Sequence, residues 1–173
     1  MRDMTLDLAG IAPGEKVLDV GCGTGTLTIA AQARAGANGE IHGIDAAPEM
    51  IEVARRKATE QGADIDFQVG LIEDIPFPDD EFDLVLSSFV LHHLPSKLKR
   101  SGFIEMRRVL KPGGRFLAVD LEFGLHHLFN FGRKTAQSDL QVLAPFLEEA
   151  SFTEVEVGRT QFRVISFLRA RAR

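Results

Sequence analysis

Cysteine is nearly absent from this sequence of 173 residues, which has only Cys22. A single cysteine cannot form an internal disulfide, and this is in keeping with a reducing compartment. The N-terminal segment MRDMTLDLAG has acidic residues where a secretory signal needs an apolar run, and no stretch is apolar enough to span a membrane. We therefore expect a cytoplasmic protein without a membrane partner.

Positive charge is also scarce, with 20 Lys and Arg against 25 Asp and Glu and a formal net charge of −5. Nucleic-acid binding needs clustered Lys and Arg, so this balance argues against a nucleic-acid partner. The exceptions are Arg169, Arg171 and Arg173, which we interpret as a solvated terminus. With 45% hydrophobic residues, the chain is expected to form one domain over residues 1–173 around a single core.

The segment VLDVGCGTGTLT, residues 17–28, carries the strongest local pattern. A short aliphatic run predicts a buried strand, and a helical pattern follows the glycines at alternate positions 21, 23 and 25. Glycines let a ligand approach the main chain closely, and a helix N-terminus offers free N–H groups. Residues 21–25, the glycine loop, are therefore predicted to hold a nucleotide-like cofactor.

The spacing of these glycines separates two cofactor classes. The dinucleotide pattern G-x-G-x-x-G fails in both registers, because its third position falls on Thr26 or Thr28. This disfavours a nicotinamide-dependent oxidoreductase. Asp45, about 20 residues beyond the loop, ends the next predicted strand, where a carboxylate can accept hydrogen bonds from ribose hydroxyls in either class.

Strands alternate with helical patterns up to residue 121, which predicts βαβ units and a parallel sheet. The predicted strands cover residues 17–20, 40–44, 64–69, 82–87 and 115–121, and the predicted helices 4–10, 25–35, a segment starting at 48, and 96–110, followed by a turn at 111–114. After residue 122 we expect a helix over 138–150 and two β-like runs, 153–157 and 162–168, close enough to form an antiparallel pair.

Four segments, VLDVGCGTG, IHGIDAAPEM, IPFPDDEFDLVLSSFVLHHL and LKPGGRFLAVDL, occur in the order and spacing of one family. Over residues 12–121 the chain resembles the class I S-adenosylmethionine-dependent methyltransferases, especially the small-molecule branch with ubiquinone and menaquinone C-methyltransferases. The resemblance implies a Rossmann-like three-layer α/β/α sandwich whose seven-stranded, mostly parallel sheet has an antiparallel last strand. It also implies methyl transfer from S-adenosylmethionine to a small, apolar or ring-containing acceptor.

The resemblance also implies a set of cofactor contacts. Asp19, Gly21, Cys22, Gly23 and Gly25 would line the methionine end, Asp45 would bind the ribose, Ala46 and Met50 would lie by the adenine, and Ser87 and Ser88 would lie near the sulfonium. One position departs from the family, because Leu71 stands where relatives have an aspartate that helps hold the adenine. We expect the adenine to stack on Met50 or Leu71 and to meet main-chain groups at Ile72, with weaker cofactor affinity.

A catalytic base is needed only if the acceptor arrives protonated. Histidine titrates near neutrality, and histidines follow the fourth strand (His92, His93) and the fifth (His126, His127) at the edge where open α/β sheets bind ligands. Of these we select His93 and His127 as the catalytic candidates. The alternatives are a buried structural ring in the first pair and a surface loop for the second. Adjacent histidines do not define a metal site, so no metal is expected.

Only about 16 residues precede the first strand, whereas relatives carry several helices there that close over the substrate. We therefore expect water exclusion to come from the segment 122–137, from a second copy in a homo-oligomer, or from a large substrate. The apolar residues of 123–131 suit a substrate pocket, a core or an oligomer contact. The alternative function is an S-adenosylmethionine-binding or partner-binding module with little catalysis.

Overall fold

A seven-stranded sheet forms the centre of the computed structural model, which describes residues 1–121 and 140–173. The strand order is β3-β2-β1-β4-β5-β7-β6. The strands are β1 Lys16–Val20, β2 Glu40–Asp45, β3 Asp66–Val69, β4 Phe82–Ser88, β5 Leu110–Leu121, β6 Phe152–Arg159 and β7 Ile165–Ala172. β7 runs antiparallel to both β5 and β6, and the pairs from β3 to β5 are parallel. The predicted mostly parallel sheet with an antiparallel last strand is confirmed.

Helices cover both faces of this sheet, as the three-layer prediction requires. They are α1 Arg2–Ala9, α2 Thr26–Ala35, α3 Pro48–Gln61, α4 Ser96–Val109 and α5 Leu140–Glu149, with a single 3-10 turn, Leu91–His93, between β4 and α4. Successive β4 residues face opposite layers: Leu84 packs with α1 and α2, whereas Val85 packs with α4 and α5. Over the described ranges, no helix has the length and apolar character needed to cross a membrane.

The C-terminal strand differs from its predicted position. β7 begins at Ile165 instead of residue 162, because the turn before it closes with the Ile165 N–H donating to the Phe162 carbonyl (2.9 Å). The strand then continues to Ala172, with Arg169 and Arg171 exposed between buried neighbours. These two arginines are exposed, as the prediction of a solvated terminus requires, but they lie on a strand, whose period-2 alternation turns them to the same face.

The predicted turn at 111–114 lies inside the first part of β5, which starts at Leu110. The pairing register of β4 with β5 shifts between Phe82 and Leu84, and Gly113 has a φ of 77°. Residues 111–114 therefore belong to a strand, although Gly113 keeps the positive φ that is typical of a turn. The loop before β4 contains no helix, as its short length and its prolines and aspartates predict.

Candidate functional site

The glycine loop joins the end of β1 to the start of α2 at the carboxyl edge of the parallel strands. Its N–H groups are largely occupied within the protein: Gly21 and Cys22 donate to the Ile44 carbonyl (2.8 and 2.9 Å), and Gly25 donates to the Cys22 carbonyl (3.0 Å). A phosphate-binding loop instead presents such N–H groups to the ligand. The loop is therefore shaped for close approach of a ligand without being a pyrophosphate cradle.

Asp45, the last residue of β2, supports the loop from the neighbouring strand. Its Oδ2 accepts the Gly23 N–H and its Oδ1 accepts the Ala47 N–H, both at 2.9 Å. These bonds fix the carboxylate where α3 begins and leave further lone pairs on both oxygens. Asp45 is half-buried, and its position suits hydrogen bonds from a sugar hydroxyl.

Glycine is needed at two positions of the loop for different reasons. A Cβ on Gly23, whose φ is 53°, meets no atom within 4 Å, so the space beside it is open to a ligand. A Cβ on Gly25 would lie 2.7 Å from the Phe67 ring and 2.9 Å from the Ala54 methyl. Gly25 therefore permits close packing of α2 on α3 and β3.

Asp19, at the carboxyl end of β1, is 1% exposed. Its Oδ2 accepts the Thr28 hydroxyl at 2.7 Å, and Oδ1 has no hydrogen-bond partner in the described part of the chain. Burial raises the pKa of this carboxyl to about 6, and the nearby Asp45 charge adds to the effect, while the Thr28 hydrogen bond opposes it. A buried, half-satisfied carboxylate is a site for a cationic ligand.

Replacing Asp19 with asparagine should remove a pH-dependent loss of stability. Because the pKa of Asp19 is raised to about 6, the folded protein retains a proton that the unfolded chain releases between about pH 4 and pH 6. The linked stability is complete below pH 4 and lost as pH rises through 6. In urea unfolding, the free energy of unfolding of Asp19→Asn relative to that of the wild type should rise by on the order of 2 kcal/mol from pH 4.5 to pH 7.5. A difference independent of pH would contradict this.

A cavity of about 250 Å³ lies between this loop, the end of β4 and the first turn of α1. Its lining includes Asp19, Gly21, Cys22 and Ser88 from the predicted set, together with Arg2 from α1. Ser87 is buried and does not line the cavity. A larger cavity, about 540 Å³, lies beside the C-terminal end of α1 and the middle of β5, away from the carboxyl edge where open α/β sheets bind ligands.

Cys22 is 9% exposed and lies beside both the cavity and β2. A Cβ on Gly43 would be 3.1 Å from its Sγ, which shows how closely the thiol packs on that strand. Burial, with the Asp19 and Asp45 charges, raises the pKa of the thiol far above its usual range. The thiolate needed for nucleophilic catalysis is therefore disfavoured, and packing beside a ligand remains the role to expect.

Exposed apolar side chains follow the carboxyl ends of β2 and β3. Met50 in the first turn of α3 is 42% exposed, Val69 at the end of β3 is 50% exposed, and Leu71 is 47% exposed. Ala46 is also exposed, whereas Ile72 is half-buried and packs on Gly102 of α4. This arrangement offers an apolar surface next to Asp45, on which a planar base can stack.

A histidine and a buried carboxylate meet at the ends of β4 and β5. The His92 Nδ1 lies 2.6 Å from Oδ1 of Asp120, and the His92 main-chain N–H donates to Oδ2 at 3.0 Å. Asp120 is fully buried, and the Leu121 N–H also donates to it at 2.7 Å. A proton on Nδ1 directed to Asp120 would hold the His92 ring in one orientation and one tautomer, as an oriented base requires.

Lys99 of α4 is 2% exposed and is the other buried charge of this region. Burial lowers the pKa of its ammonium, and the attraction of Asp120 partly offsets this. The predicted candidate His93 is exposed, and its ring lies against the His92 ring with 3.7 Å between centroids. His127, with the whole segment 122–137, lies outside the described residues, so its catalytic role stays a prediction.

Asp120 was missed by the sequence analysis. Its signal was present, because it ends the apolar run of β5 in FLAVDL, next to the end of β4, where Ser88 pairs with Val119. Parallel neighbours bring the residues after their carboxyl ends to one edge of the sheet. The pattern therefore predicts that a histidine after β4 lies near Asp120, without deciding which of the two histidines it is.

Comparison with known proteins assigns this site to a family. Residues 17–114, more than half of the chain, match a family model described as a methyltransferase domain. The chain belongs to this methyltransferase family. The match begins at the second residue of β1 and ends in β5, so it contains Asp19, the glycine loop, Asp45 and His92.

A curated relative supports the assignment to this family. Over 131 residues the chain is 40% identical to a demethylmenaquinone methyltransferase of Bacillus velezensis, covering 75% of this chain and 54% of that protein. The chain thus spans about half the length of the curated relatives it matches. This confirms the resemblance to the quinone C-methyltransferase branch.

Solved structures confirm the fold. A SAM-dependent methyltransferase from Aquifex aeolicus superposes with a TM-score of 0.81 at 24% identity, covering 99% of this chain and 89% of that one. The [4+2]-cyclase SpnF superposes with a TM-score of 0.82 at 20% identity, covering 98% of this chain and 79% of that one. The same fold therefore carries different reactions, and the activity must be argued from the site.

Proposed function

We propose that this methyltransferase-family chain binds S-adenosylmethionine and transfers its methyl group to a ring carbon of a quinone-type acceptor. The observation that carries the cofactor assignment is Asp19, whose buried Oδ1 has no partner in residues 1–121 and 140–173. S-Adenosylmethionine is a cation with an ammonium and a sulfonium, whereas a dinucleotide brings an anionic pyrophosphate. A buried carboxylate favours the first and repels the second.

The remaining parts of the site fit the same cofactor. Open space beside Gly23 admits the amino-acid portion, and Asp45 accepts the ribose hydroxyls while holding the loop. Met50 and Leu71 supply an apolar surface for the adenine in place of the aspartate that relatives use. From Gly23 through Asp45 to Leu71, the order of these groups along the sheet edge follows the order β1, β2, β3 of the strands that precede or contain them.

The bound cofactor supplies an electrophilic methyl group, and the chain must align the acceptor and receive one proton from it. His92 is the residue we assign to that proton. Its Nδ1 is held by Asp120 at 2.6 Å, which orients the ring. The 3-10 turn Leu91–His93 carries this ring four residues after Ser88, the last residue of β4, which lines the cavity.

Reduced demethylmenaquinone is the acceptor to test first, because the Bacillus velezensis relative carries that name. A ring carbon is nucleophilic when the ring bears hydroxyl groups, and methylation then releases the proton assigned to His92. Turnover of this acceptor would exclude the alternative of a binding module with little catalysis.

S-Adenosylhomocysteine should stabilise the protein against heat. At one hundred times its dissociation constant a ligand adds about 2.7 kcal/mol to the free energy of unfolding, which corresponds to a Tm increase of about 5–10 °C for a chain of this size. NAD at the same concentration is the control and should change Tm by less than about 1 °C. Stabilisation by NAD, or none by S-adenosylhomocysteine and S-adenosylmethionine, would overturn the proposed function.

A further inference from the structure

The segment after β3, residues 70–77, contributes Leu71 to the surface assigned to the adenine. Its only regular pairing is an isolated bridge, in which the Asp74 N–H donates to the Leu71 carbonyl at 3.2 Å. At the start of the segment, the Gly70 N–H donates to the Asp45 carbonyl at 3.1 Å, which ties it to β2. The position of the other end depends on a different element.

Helix α4 holds that other end through Glu105 and Arg108. These two side chains lie three residues apart and pair at 2.8 Å between Oε2 and Nη2. Oε2 of Glu105 accepts the Ile75 N–H at 3.0 Å, and Nη2 of Arg108 donates to the Ile75 carbonyl at 2.9 Å. Both main-chain groups of Ile75 are therefore bound to α4, and its side chain is buried in the core.

Arg108 extends this contact toward β4. Its Nη1 donates to the Phe77 carbonyl and to Asp79, both at 2.8 Å. The hydrogen bond with Glu105 raises the pKa of the guanidinium and lowers the pKa of the Glu105 carboxyl, so both groups stay charged. A planar guanidinium with five donors can make all these bonds at once, whereas a single ammonium cannot.

Helix α4 also contacts the segment at Ile72. A Cβ on Gly102 would lie 2.6 Å from Cγ1 of Ile72, so the two residues pack where a side chain on α4 would collide. Gly102, Glu105 and Arg108 follow one another along a ridge of the helix with a spacing of three residues. The same helix therefore supports Ile72 by packing and Ile75 by hydrogen bonds.

The leucine at position 71 makes the main chain of this segment important for the ligand. A leucine side chain cannot form hydrogen bonds with the adenine, unlike the aspartate of relatives, so recognition of the base depends on main-chain groups at Ile72. Within the described residues, the Ile72 N–H has no acceptor. Such a donor can distinguish one base from another only when its position is fixed.

We propose that Arg108 is a positioning residue for adenine recognition: together with Glu105, it fixes the segment that carries the Ile72 N–H. The inference rests on the proposed function, since it takes an adenosyl cofactor as the ligand. N1 of adenine accepts a hydrogen bond, whereas N1 of hypoxanthine carries a proton and donates. A fixed N–H therefore binds the first base and opposes the second.

The test compares S-adenosylhomocysteine with S-inosylhomocysteine, in which hypoxanthine replaces adenine. Calorimetry should show the wild type preferring the adenine ligand by about tenfold or more, and Arg108→Ala should reduce this preference to less than about threefold. Arg108→Lys keeps the charge without the planar set of donors and should lose most of the preference too, so it serves if the alanine variant fails to fold.

Arg107→Ala is the matched control. It removes the neighbouring positive charge, whose guanidinium donates to the Leu110 and Arg173 carbonyls and not to residues 70–77. It should keep the wild-type preference for adenine. A second control uses 5′-methylthioadenosine, the nucleoside thioether without the amino-acid group, and its 2′-deoxy analogue. The ratio of their affinities reports on the ribose and should stay unchanged in Arg108→Ala.

Partial unfolding weakens the binding of both ligands equally, so it does not change either ratio. The inference is overturned by an unchanged base preference in the Arg108 variants, by an equal loss in Arg107→Ala, or by a loss of the ribose ratio as well. A wild type that binds both bases equally would also overturn it. In these cases the wild type still binds S-adenosylhomocysteine and the proposed function stands. Failure of the wild type to bind it would overturn both.

Discussion

Replacing His92 with alanine should lower kcat for methylation of reduced demethylmenaquinone by about 10²- to 10⁴-fold, the usual contribution of a positioned base. S-Adenosylhomocysteine affinity should stay within about twofold, because the ring is assigned to the acceptor's proton and not to the cofactor. Asp120→Asn should cause a loss of similar size. The amide would donate to Nδ1 and move the ring proton to Nε2, so the lone pair would be on the wrong nitrogen.

His93→Ala is the matched control, since it removes the adjacent, exposed ring and leaves the pair of His92 and Asp120 intact. It should change kcat by less than about threefold. A large loss in His93→Ala with little change in His92→Ala would restore His93 as the base. Small effects in all three variants would assign the pair to loop structure and indicate an acceptor that needs no base.

The parts of the site that sequence predicted well depend on local geometry. The alternating glycines and Asp45 could be assigned from spacing, since a strand, a tight turn and a helix start are specified by neighbouring residues. Even there, the reason for Gly25 was missed. Phe67 and Ala54, which occupy the space beside it, come from elements about 30 to 40 residues away and leave no signal at Gly25 itself.

Local sequence does not distinguish His92 from His93 as the catalytic base. Both rings follow β4 and have the same chemistry, and only the position of Asp120, 28 residues later, distinguishes them. That contact exists because β4 and β5 are parallel neighbours, with Ser88 paired with Val119. Deciding which histidine meets the carboxylate requires the backbone path of the 3-10 turn, which the sequence does not specify.

The position of α1 is a third case. From the sequence, we expected the segment before β1 to be too short to close over the substrate. Its helical pattern was predicted, but its direction depends on Arg115, which lies more than 100 residues from the carbonyls it binds. Long-range contacts of this kind orient short elements, and no periodicity within residues 1–10 reports them.

Asp45→Ala should weaken S-adenosylhomocysteine binding by about 10²-fold, or about 3 kcal/mol. The carboxylate both accepts the Gly23 and Ala47 N–H groups and is assigned to the ribose, so its loss loosens the loop and removes a ligand contact together. Asp66→Ala is the control for charge. Asp66 is the first residue of β3, so it lies at the amino ends of the parallel strands, away from the glycine loop. Its replacement should leave the affinity for S-adenosylhomocysteine within about twofold.

Comparing 5′-methylthioadenosine with its 2′-deoxy analogue separates the two roles of Asp45. The wild type should prefer the ribose form about tenfold or more, because a site that hydrogen-bonds a hydroxyl rejects the analogue lacking it. Asp45→Ala should lose this preference, and the ratio is insensitive to a general loosening of the loop because both ligands share it. If the variant binds both ligands more weakly but keeps the wild-type ratio, Asp45 supports the loop and does not bind the ribose. The charge-assisted bonds to Gly23 and Ala47 would then be its whole function.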